Sequence, residues 1–552
     1  MEIASTPAAA VVVAALCVAA HRVWRRWELS RAKHRSLAGH SFWAKTLARW
    51  IPGYAYNEAT FFKVDGAPDT VAQLRREAFF SLGRTLEALA PQTLQSTERA
   101  KEGLADLQFT SRYRVPFQFS PLVQAHLKVG AFWTGSSGVT LRDCDGNVFY
   151  DLTGSYGVNV FGLDFYKACM DTAHAHAKDF GPILGSYHPC VVANIARLRA
   201  ISGLEQVSFH MSGTEAVMQA VRLARYHTGK KRVVRFAGAY HGWWEDVQPG
   251  PGNPMPPRET YTLADMSERS LQVLRTRKDV ACVLVNPLQG LHPNSNAPGD
   301  STLVHGRTVA GFDRTRYGEW LRQLRDVCQK NGIVFILDEV FMGFRLGKRG
   351  AQAYFHVDAD MVVYGKTLGG GLPVGVVCGK AALMQRFKPD RPADLCFARG
   401  TFNAHPNVMT SMDAFLTALD SEAVTELYGS LDATWAQREQ AFNAALATAD
   451  VPVRVRALSS VWSVTYTLPS RYHWMLQYYL RAEGLALSWV GTGRLIFSLN
   501  YTDDDMRVVT ERFVRACQRM QADGWWWTSP ERDARTLARG VLLEMLRVKA
   551  GL

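Results

Sequence analysis

Short apolar runs bounded by charged or glycine-rich stretches recur along the chain, and two in its second half stand out. Ile333–Leu337 and Met361–Tyr364 have the length and composition of buried strands. The first run ends on Asp338, and Lys366 follows the second just before three glycines at positions 369–371. Open α/β sheets bind ligands beyond the carboxyl ends of their strands. The pattern therefore predicts a carboxylate and a lysine close together at that edge.

The rest of the pattern predicts an α/β enzyme. An Asp-Gly turn at 143–146 separates two short apolar runs and predicts a hairpin. Apolar positions 71, 74, 78, 82 and 86 predict a helix that starts at Pro68-Asp69 and ends before Pro91. From about residue 411, helical and strand patterns alternate. We predict a large domain with a mostly parallel central sheet, followed by a smaller C-terminal α+β domain.

The N-terminus carries an apolar stretch of eighteen residues, Ile3–Ala20, interrupted only at positions 5–7. It is just long enough to span a bilayer, with Trp24 and Trp27 available at the interface. A cleaved signal peptide or an apolar tail is the alternative, although a signal peptide carries its positive charge before the apolar run. We predict a single N-terminal transmembrane anchor.

Charge sharpens that prediction. The chain has a formal net charge of +13, and residues 21–50 hold eight Lys/Arg against one acid, Glu28. By the positive-inside rule the catalytic body lies on the cytoplasmic side. A basic segment confined to one end favours a tether over a nucleic-acid-binding enzyme. The overall composition, 47% hydrophobic and 20% charged, is typical of a globular protein.

The cysteines and histidines indicate neither disulfides nor metal. The nine cysteines include no C-x-x-C pair, and the fifteen histidines form no H-E-x-x-H or comparable motif. Reduced thiols in the cytosol and no metal site are expected.

Asp338 and Lys366 together suit pyridoxal phosphate (PLP) chemistry. A lysine amine can condense with the cofactor aldehyde, and a carboxylate can keep the pyridine nitrogen protonated. The spacing alone also fits an ordinary ion pair beside a glycine turn.

Longer sequence motifs around these two residues decide between a cofactor site and an ordinary ion pair. The chain contains DEVFMGFR at 338–345, GAQAYFHVDADMVVYGKTLGGGLPVG at 350–375 and GTFNAHPNVM at 400–409. These motifs resemble those of the class III, fold-type I PLP-dependent aminotransferases, most closely the glutamate-1-semialdehyde aminomutase branch, over residues 110–520. The resemblance implies that Asp338 is the pyridinium partner, that Lys366 is the Schiff-base lysine and proton shuttle, and that Val340 packs against the ring.

Further cofactor contacts follow from the resemblance. Ser212, Gly213 and Thr214 precede a strongly helix-forming stretch, where free N–H groups favour a phosphate, although such a turn is also an everyday N-cap. In relatives the aromatic residue of the Y-H-G turn stacks on the pyridine, which implies that role for Tyr240. The motif at 400–402 implies that Thr401 reaches the partner's cofactor phosphate across a homodimer.

One loop departs from the family pattern. Asn286 stands where relatives usually have glutamate, which puts any role of that glutamate in doubt. Gln289 matches a glutamine that bonds the phenolic oxygen of the cofactor in many aminotransferases. The aminomutases tend to lack it and carry an asparagine two positions later, where this chain has Leu291. The segment Leu291–Arg316 is longer than the usual connection and is predicted to border the substrate entrance.

Three residues are candidate substrate contacts. Ser155 and Tyr156 lie in a segment that resembles the family's active-site stretch, although aromatic residues there can also be core. Arg494 lies near the position of a carboxylate-binding arginine in some relatives, and a structural or solvated arginine is the competing interpretation.

The C-terminus adds a possible second membrane contact. Trp525–Trp527 precede a predicted helix that starts at Pro530 and carries Leu537, Val541, Met545 and Val548 on one face. This basic amphipathic helix suits a membrane interface, or it packs on the protein's own core.

The sequence thus predicts six segments and one activity. The segments are an anchor (1–27), a basic and helical spacer or dimer arm (28–110), the start of the catalytic fold (111–160), a PLP-binding large domain (161–410), a small domain (411–522) and a Trp-rich tail (523–552). The predicted activity moves an amino group from a small-molecule donor to a carbonyl acceptor. Intramolecular transfer, as in the aminomutase, is the alternative. A non-catalytic membrane scaffold is disfavoured because the cofactor motifs occur together.

Overall fold

The computed structural model describes residues 7–33, 39–248, 250–255, 257–291, 313–488, 493–529 and 533–551. The N-terminal part of the chain is helical, the middle part is mixed α/β, and the C-terminal part is α+β. The N-terminal helices are α1 (Pro7–Ala32), α2 (Ser41–Trp50), α3 (Glu58–Phe61), α4 (Asp69–Leu89), α5 (Pro91–Lys101), α6 (Ala105–Arg112) and α7 (Ser120–His126).

The end of helix α1 is docked on the protein body. The guanidinium of Arg25 donates to the carbonyl of Thr276 over 2.7 Å, and the Thr276 hydroxyl donates to Glu28 over 2.9 Å. Just after the helix, Lys33 pairs with Leu263 at the edge of the central sheet. The basic segment therefore begins as part of the catalytic body.

The predicted anchor, residues 1–27, starts in residues 1–6, which lie outside the described ranges. Within those ranges, no helix combines the length and the apolar character needed to cross a bilayer. The transmembrane prediction is therefore not supported. The physical reason is that the apolar stretch is short and α1 continues without a break into a strongly charged half that binds the protein surface.

The segment predicted as a spacer packs on the body. Helix α4 forms where the apolar spacing predicted it. Phe61 and Phe79 are fully buried, and Phe61 packs edge-on against Phe119. Arg75 and Asp65 form a buried ion pair with a 2.6 Å contact. The segment is also bound to the C-terminal part: the Tyr472 hydroxyl donates to the Phe61 carbonyl over 2.6 Å, and Arg75 donates to the Gly524 carbonyl over 2.9 Å.

A small sheet follows. Strands β1 (Trp133–Ser137), β2 (Thr140–Asp143) and β3 (Val148–Asp151) pair antiparallel, as the Asp-Gly turn predicted. A 3₁₀ turn at Gly154–Gly157 leads from β3 into the large domain.

The large domain contains a seven-stranded sheet. Its elements are α8 (Leu163–Ala177), α9 (Cys190–Ser202), β4 (Gln206–His210), α10 (Gly213–Thr228), β5 (Arg232–Phe236), β6 (Thr260–Leu263), α11 (Glu268–Thr276), β7 (Val280–Val285), α12 (Arg314–Lys330), β8 (Val334–Asp338), α13 (Gly350–Phe355), β9 (Met361–Gly365), β10 (Gly375–Gly379), α14 (Ala381–Met384), β11 (Phe387–Lys388), β12 (Arg391–Leu395) and α15 (Pro406–Ala418).

The strand order of this sheet is β4-β10-β9-β8-β7-β5-β6. Neighbours from β9 to β6 are parallel, and only β10 runs antiparallel to its two neighbours. All residues of β7, β8 and β9 are buried. This explains why their sequences are continuous apolar runs: helices cover both faces of the sheet. The mostly parallel central sheet is confirmed.

The C-terminal part is α+β and shares a sheet with the hairpin. It comprises α16 (Glu422–Gly429), α17 (Leu431–Thr448), β13 (Val453–Leu458), β14 (Val461–Tyr466), α18 (Leu476–Ala482), β15 (Leu485–Ala486), β16 (Arg494–Ile496), α19 (Asp503–Ala522) and α20 (Ala534–Ala550). Strand β15 pairs parallel with β3, so the N-terminal and C-terminal parts of the catalytic fold are joined by one sheet.

The tryptophan run is core rather than interface. Trp525 and Trp526 are buried, and the indole N–H of Trp525 donates to the hydroxyl of Tyr479 over 2.8 Å. Helix α20 is described from Ala534, and the predicted start at Pro530 lies outside the described residues. Of its predicted apolar face, Leu537 is buried against the protein. Of the two alternatives for this tail, packing on the protein's own core holds for these tryptophans: Trp525 lies between Arg75 of α4 and Tyr479 of α18, and Trp526 donates to His473.

Candidate active site

The ends of strands β8 and β9 bring the predicted acid and lysine together. Asp338 pairs in register with Val363, three residues before Lys366. Lys366 opens a 3₁₀ turn with a left-handed φ of 48°. Burial lowers the pKa of Lys366, whereas the nearby Asp338 carboxylate raises it and Arg345 lowers it further. Because its pKa is lowered, more of this amine is unprotonated at neutral pH and available as a nucleophile or proton acceptor than in a solvated lysine.

The residue after the lysine is held from another element. The hydroxyls of Thr367 and Tyr166 are hydrogen bonded over 2.5 Å, and the Tyr166 oxygen also accepts from the backbone N–H of Val160 over 3.0 Å. Tyr166 lies on α8 and is buried. This link fixes the strained backbone that presents Lys366.

Asp338 is held by a buried histidine. The Nδ1 atom of His241 lies 2.7 Å from Oδ2 of Asp338, and the backbone N–H of Val340 donates to the other carboxylate oxygen over 3.1 Å. Burial lowers the pKa of His241, and the Asp338 carboxylate opposes that effect. The imidazole therefore acts as a donor that orients the carboxylate. Sequence reasoning missed His241, although it directly follows Tyr240 in the Y-H-G motif.

The start of helix α10 forms a cradle for an anion. The Ser212 hydroxyl caps the helix by accepting from the N–H of Glu215 over 3.2 Å. The N–H groups of the first helical turn have no carbonyl partner inside the helix and favour a phosphate. A Cβ on Gly213 would lie 2.6 Å from Val340 Cγ1, and one on Gly242 would lie 2.6 Å from Thr214 Oγ1. Both glycines allow the close approach of these segments.

Tyr240 and Gln289 lie on one wall of the site. Tyr240 is exposed, and the pKa of its hydroxyl is raised by partial burial and by the Asp338 carboxylate. Gln289 is buried and donates to the carbonyl of Ala237 over 2.8 Å. Its Oε1 is buried and has no hydrogen-bond partner within the described ranges. Asn286 donates to the carbonyl of Tyr240 over 3.3 Å, so this loop supports the Y-H-G turn.

A strained turn brings the predicted substrate contacts to the lysine. Gly154, Ser155, Tyr156 and Gly157 all have positive φ, and the two non-glycine residues have values of 46° and 55°. Strain of this kind clusters at functional sites. A Cβ on Gly157 would lie 3.3 Å from Cδ of Lys366. The turn therefore passes the lysine at Gly157, and Ser155 and Tyr156 are the two residues that precede this contact.

Phe341 connects the turn with the predicted arginine. A Cβ on Gly157 would lie 2.6 Å from the Phe341 ring, and the guanidinium of Arg494 lies 5.8 Å from the centre of the same ring. Arg345 lies in the loop after β8 and is fully buried. Its guanidinium lies 5.7 Å from the centre of the Phe341 ring. Phe341 and Arg345 were not predicted from the sequence. Both belong to the DEVFMGFR motif that did reveal Asp338.

Two predicted features lie apart from this cluster. Thr401 is exposed on a turn before α15. Of the segment predicted to border the substrate entrance, residues 292–312 lie outside the described ranges, whereas Leu291 is buried.

Comparison with known proteins identifies the architecture. The family Aminotransferase class-III matches residues 123–245 and 310–517. The chain belongs to this family. A glutamate-1-semialdehyde 2,1-aminomutase from Desulfotalea psychrophila is 33% identical over 345 residues, covering 58% of this class-III chain and 74% of the relative.

Solved structures agree on the fold. A transaminase with PLP bound is 28% identical, with a TM-score of 0.60, and the match covers 72% of this chain and 92% of that one. A glutamate-1-semialdehyde aminomutase from Pseudomonas aeruginosa is 18% identical, with a TM-score of 0.64, and the match covers 81% and 99% of the two chains. The second likeness shows the shared fold-type I architecture.

Pyridoxal phosphate is the cofactor of this enzyme family, and the residues present fit it. A lysine with a lowered pKa and a carboxylate held by His241 lie at adjoining strand ends. A helix N-terminus with a serine cap provides for a phosphate. Within the described ranges the buried Oε1 of Gln289 has no hydrogen-bond partner, so it can accept a hydrogen bond from a bound group.

Proposed function

We propose that this PLP-dependent class-III aminotransferase moves an amino group between two separate small molecules, an amino donor and a carbonyl acceptor. The observation that carries the proposal is Gln289, buried beside the Y-H-G turn with one oxygen unpartnered within the described ranges. The sequence resemblance links a glutamine at this position with intermolecular transfer. Leu291, at the position where aminomutases tend to have asparagine, is buried and apolar.

The side chains divide the work. Bound cofactor supplies an electrophilic carbon and an electron-accepting ring. Lys366 holds and moves the proton at the reacting carbon, helped by a pKa that burial lowers. Asp338, oriented by His241, would present a fixed negative charge to the ring nitrogen. Val340 and Tyr240 would enclose the ring, as the family resemblance implies.

Phosphate and substrate are held by other elements. Ser212, Gly213 and Thr214 would bind the phosphate at the start of α10. The left-handed turn that contains Ser155 and Tyr156 would line the substrate side. Arg494, close to Phe341, would meet a carboxylate of donor or acceptor. These assignments rest on the contacts around Lys366 and on the charge of each group.

Intramolecular transfer is the second candidate. A curated relative named glutamate-1-semialdehyde 2,1-aminomutase shares 33% identity with this chain. An experiment with single substrates separates the two reactions. Purified enzyme given an amino donor alone should accumulate pyridoxamine phosphate and should need a separate carbonyl compound to return. Efficient conversion of glutamate-1-semialdehyde to 5-aminolevulinate without a second substrate would contradict the proposal.

We also propose a homodimer. Thr401 is exposed, as expected for a residue that reaches a neighbouring subunit. Its own segment carries the exposed side chains of Phe397 and Phe402. A 3.0 Å hydrogen bond from Arg399 to Gly185 joins this segment to another with exposed Tyr187 and Val192. Single-species sedimentation at twice the chain mass is expected, and a monomer with full activity would refute the proposal.

The cellular location is likewise a proposal. It rests on the concentration of basic residues at 21–50, which favours the cytoplasmic side of a membrane. Cell fractionation of the full chain, with protease accessibility of its catalytic body, tests it.

A further inference from the structure

Helix α2 is packed with its small residues inward and its large apolar residues outward. Ala44 is fully buried against the protein, whereas Phe42 is 69% exposed and Trp50 68% exposed. Trp43 and Leu47 are exposed as well. A surface helix normally does the opposite, because burying aromatic and leucine side chains stabilises the fold. The outer face of α2 therefore lacks an apolar partner within the described ranges.

Contacts with the protein hold helix α2 in this orientation. Lys45 donates to the carbonyl of Pro251 over 2.9 Å. Ser41, Lys45 and Ala48 are half-buried on the same face as Ala44. Helix α2 is thus fixed in one rotation about its axis, and that rotation presents its aromatic residues to solvent.

Helix α20 has a comparable second face. Leu537 is buried and Val541, Met545 and Val548 are half-buried against the protein, as the sequence indicated for one side. Leu542, Leu543 and Leu546 are exposed on the other side, each more than half accessible. The helix therefore has apolar residues on two faces, and only one of them packs on the protein.

The two helices border the same region. Glu544 of α20 forms a 3.0 Å ion pair with the buried Arg471 and is hydrogen bonded to Tyr54. Tyr54 follows Trp50 by four residues, which limits their separation to about 14 Å. We call the exposed faces of α2 and α20 the α2–α20 surface.

Charge distinguishes the possible occupants of this surface. The two helices carry six basic residues and one acid, Glu544, which Arg471 already neutralises. A second copy of this surface would bring like charges together, which disfavours self-association. Exposed tryptophan and leucine interspersed with Arg and Lys is instead the composition of helices that lie in an anionic lipid interface. The basic residues are Lys45, Arg49, Arg535, Arg539, Arg547 and Lys549.

We propose that the α2–α20 surface binds the headgroup region of an anionic phospholipid bilayer, with both helices lying along the membrane plane. The apolar side chains enter the headgroup boundary, and the exposed basic residues pair with lipid phosphates or carboxylates: Arg49, Arg535, Arg539, Arg547 and Lys549. This contact requires no spanning segment. It holds the catalytic body against a membrane, where amphiphilic substrates would be concentrated.

The test is vesicle cosedimentation of the full chain with bound cofactor. Vesicles of pure phosphatidylcholine are compared with vesicles that contain 30% phosphatidylserine, at low and at physiological salt. Wild type is expected to bind the anionic vesicles, and binding should weaken as salt rises. Absence of wild-type binding to anionic vesicles would overturn the proposal.

Paired variants locate the contact. Leu47→Ser with Trp50→Ser, and separately Leu542→Ser with Leu546→Ser, should each weaken binding at least tenfold. The matched control is Leu104→Ser, because Leu104, the N-cap residue of α6, is 46% exposed and Leu47 is 44% exposed. The control should bind like wild type. Equal vesicle binding by all variants would overturn the proposal.

A charge variant and two checks complete the design. Arg539→Gln with Arg547→Gln should remove the preference for anionic vesicles while leaving solution transaminase activity unchanged. That activity and circular dichroism report folding in every variant. Light scattering without lipid tests the remaining occupant: variants that dissociate a wild-type oligomer would assign the surface to a second copy and refute the lipid contact.

Discussion

The hydrogen bond between His241 and Asp338 allows a quantitative prediction. Replacing His241 with phenylalanine keeps an aromatic ring at this position and removes the Nδ1 donor that lies 2.7 Å from the carboxylate. Both side chains are at most 2% exposed, so water does not substitute for the lost donor. A hydrogen bond to a charged group contributes about 1.5–3 kcal/mol. If the loss falls on the transition state, kcat should drop by roughly 10- to 150-fold.

The assay measures the rate of pyridoxamine phosphate formation in a single turnover with excess amino donor. His241→Asn is the matched control, because its amide nitrogen lies near the position of Nδ1 and can still donate to Asp338. We expect the asparagine variant to retain a rate within about fivefold of wild type. A phenylalanine variant within twofold of wild type, with unchanged cofactor binding, would refute the role of His241.

Two further predictions follow from buried contacts. Gly157→Ala should abolish turnover without unfolding the chain, because its φ is 98° and the new methyl would lie 2.6 Å from the Phe341 ring and 3.3 Å from Lys366 Cδ; full activity with a normal circular dichroism spectrum would contradict this. Burial raises the pKa of Glu339 to about 7. The folded state therefore binds this proton more tightly, so the associated stability is present below pH 4.5 and is lost as pH rises to 7. Glu339→Gln, which keeps an acceptor for the Ala351 N–H, should gain about 3 kcal/mol relative to wild type between pH 4.5 and 8 in urea unfolding with saturating cofactor. An unchanged difference across that range would refute the assignment.

The site elements that the sequence predicted are those with a local signature. The apolar runs before Asp338 and Lys366 became β8 and β9, because strands covered on both faces must be apolar throughout. Ser212 caps α10, as its position before a helix-forming stretch indicated. Motif and periodicity were sufficient because each feature depends on neighbouring residues.

Features that depend on tertiary contacts were missed. His241 and Asp338 are 97 positions apart in the sequence, and no periodic pattern predicts their contact. The left-handed turn at Ser155 and Tyr156 has no sequence signal in its two non-glycine residues. Phe341 and Arg345 could be recognised as site residues only in the structure, where β16 places Arg494 beside the same ring.

At both ends of the chain, hydropathy alone did not determine what the apolar residues contact. An apolar stretch of eighteen residues and a tryptophan triplet each fit a membrane. In the structure, the charged half of α1 binds Thr276, and Trp525 donates to Tyr479 in the core. Conversely, the apolar face of α2 is exposed although its sequence resembles that of an ordinary amphipathic helix. Composition gives the number of apolar residues, but it does not show whether they contact the protein core, solvent or a membrane.

The most direct test of the central claim is borohydride reduction of the purified holoenzyme, followed by peptide mass spectrometry. The account predicts that the cofactor becomes fixed to the peptide containing Lys366 and to no other lysine, and that Lys366→Ala binds cofactor without being labelled. Labelling of a different lysine, or undiminished transaminase activity in Lys366→Ala, would contradict the account.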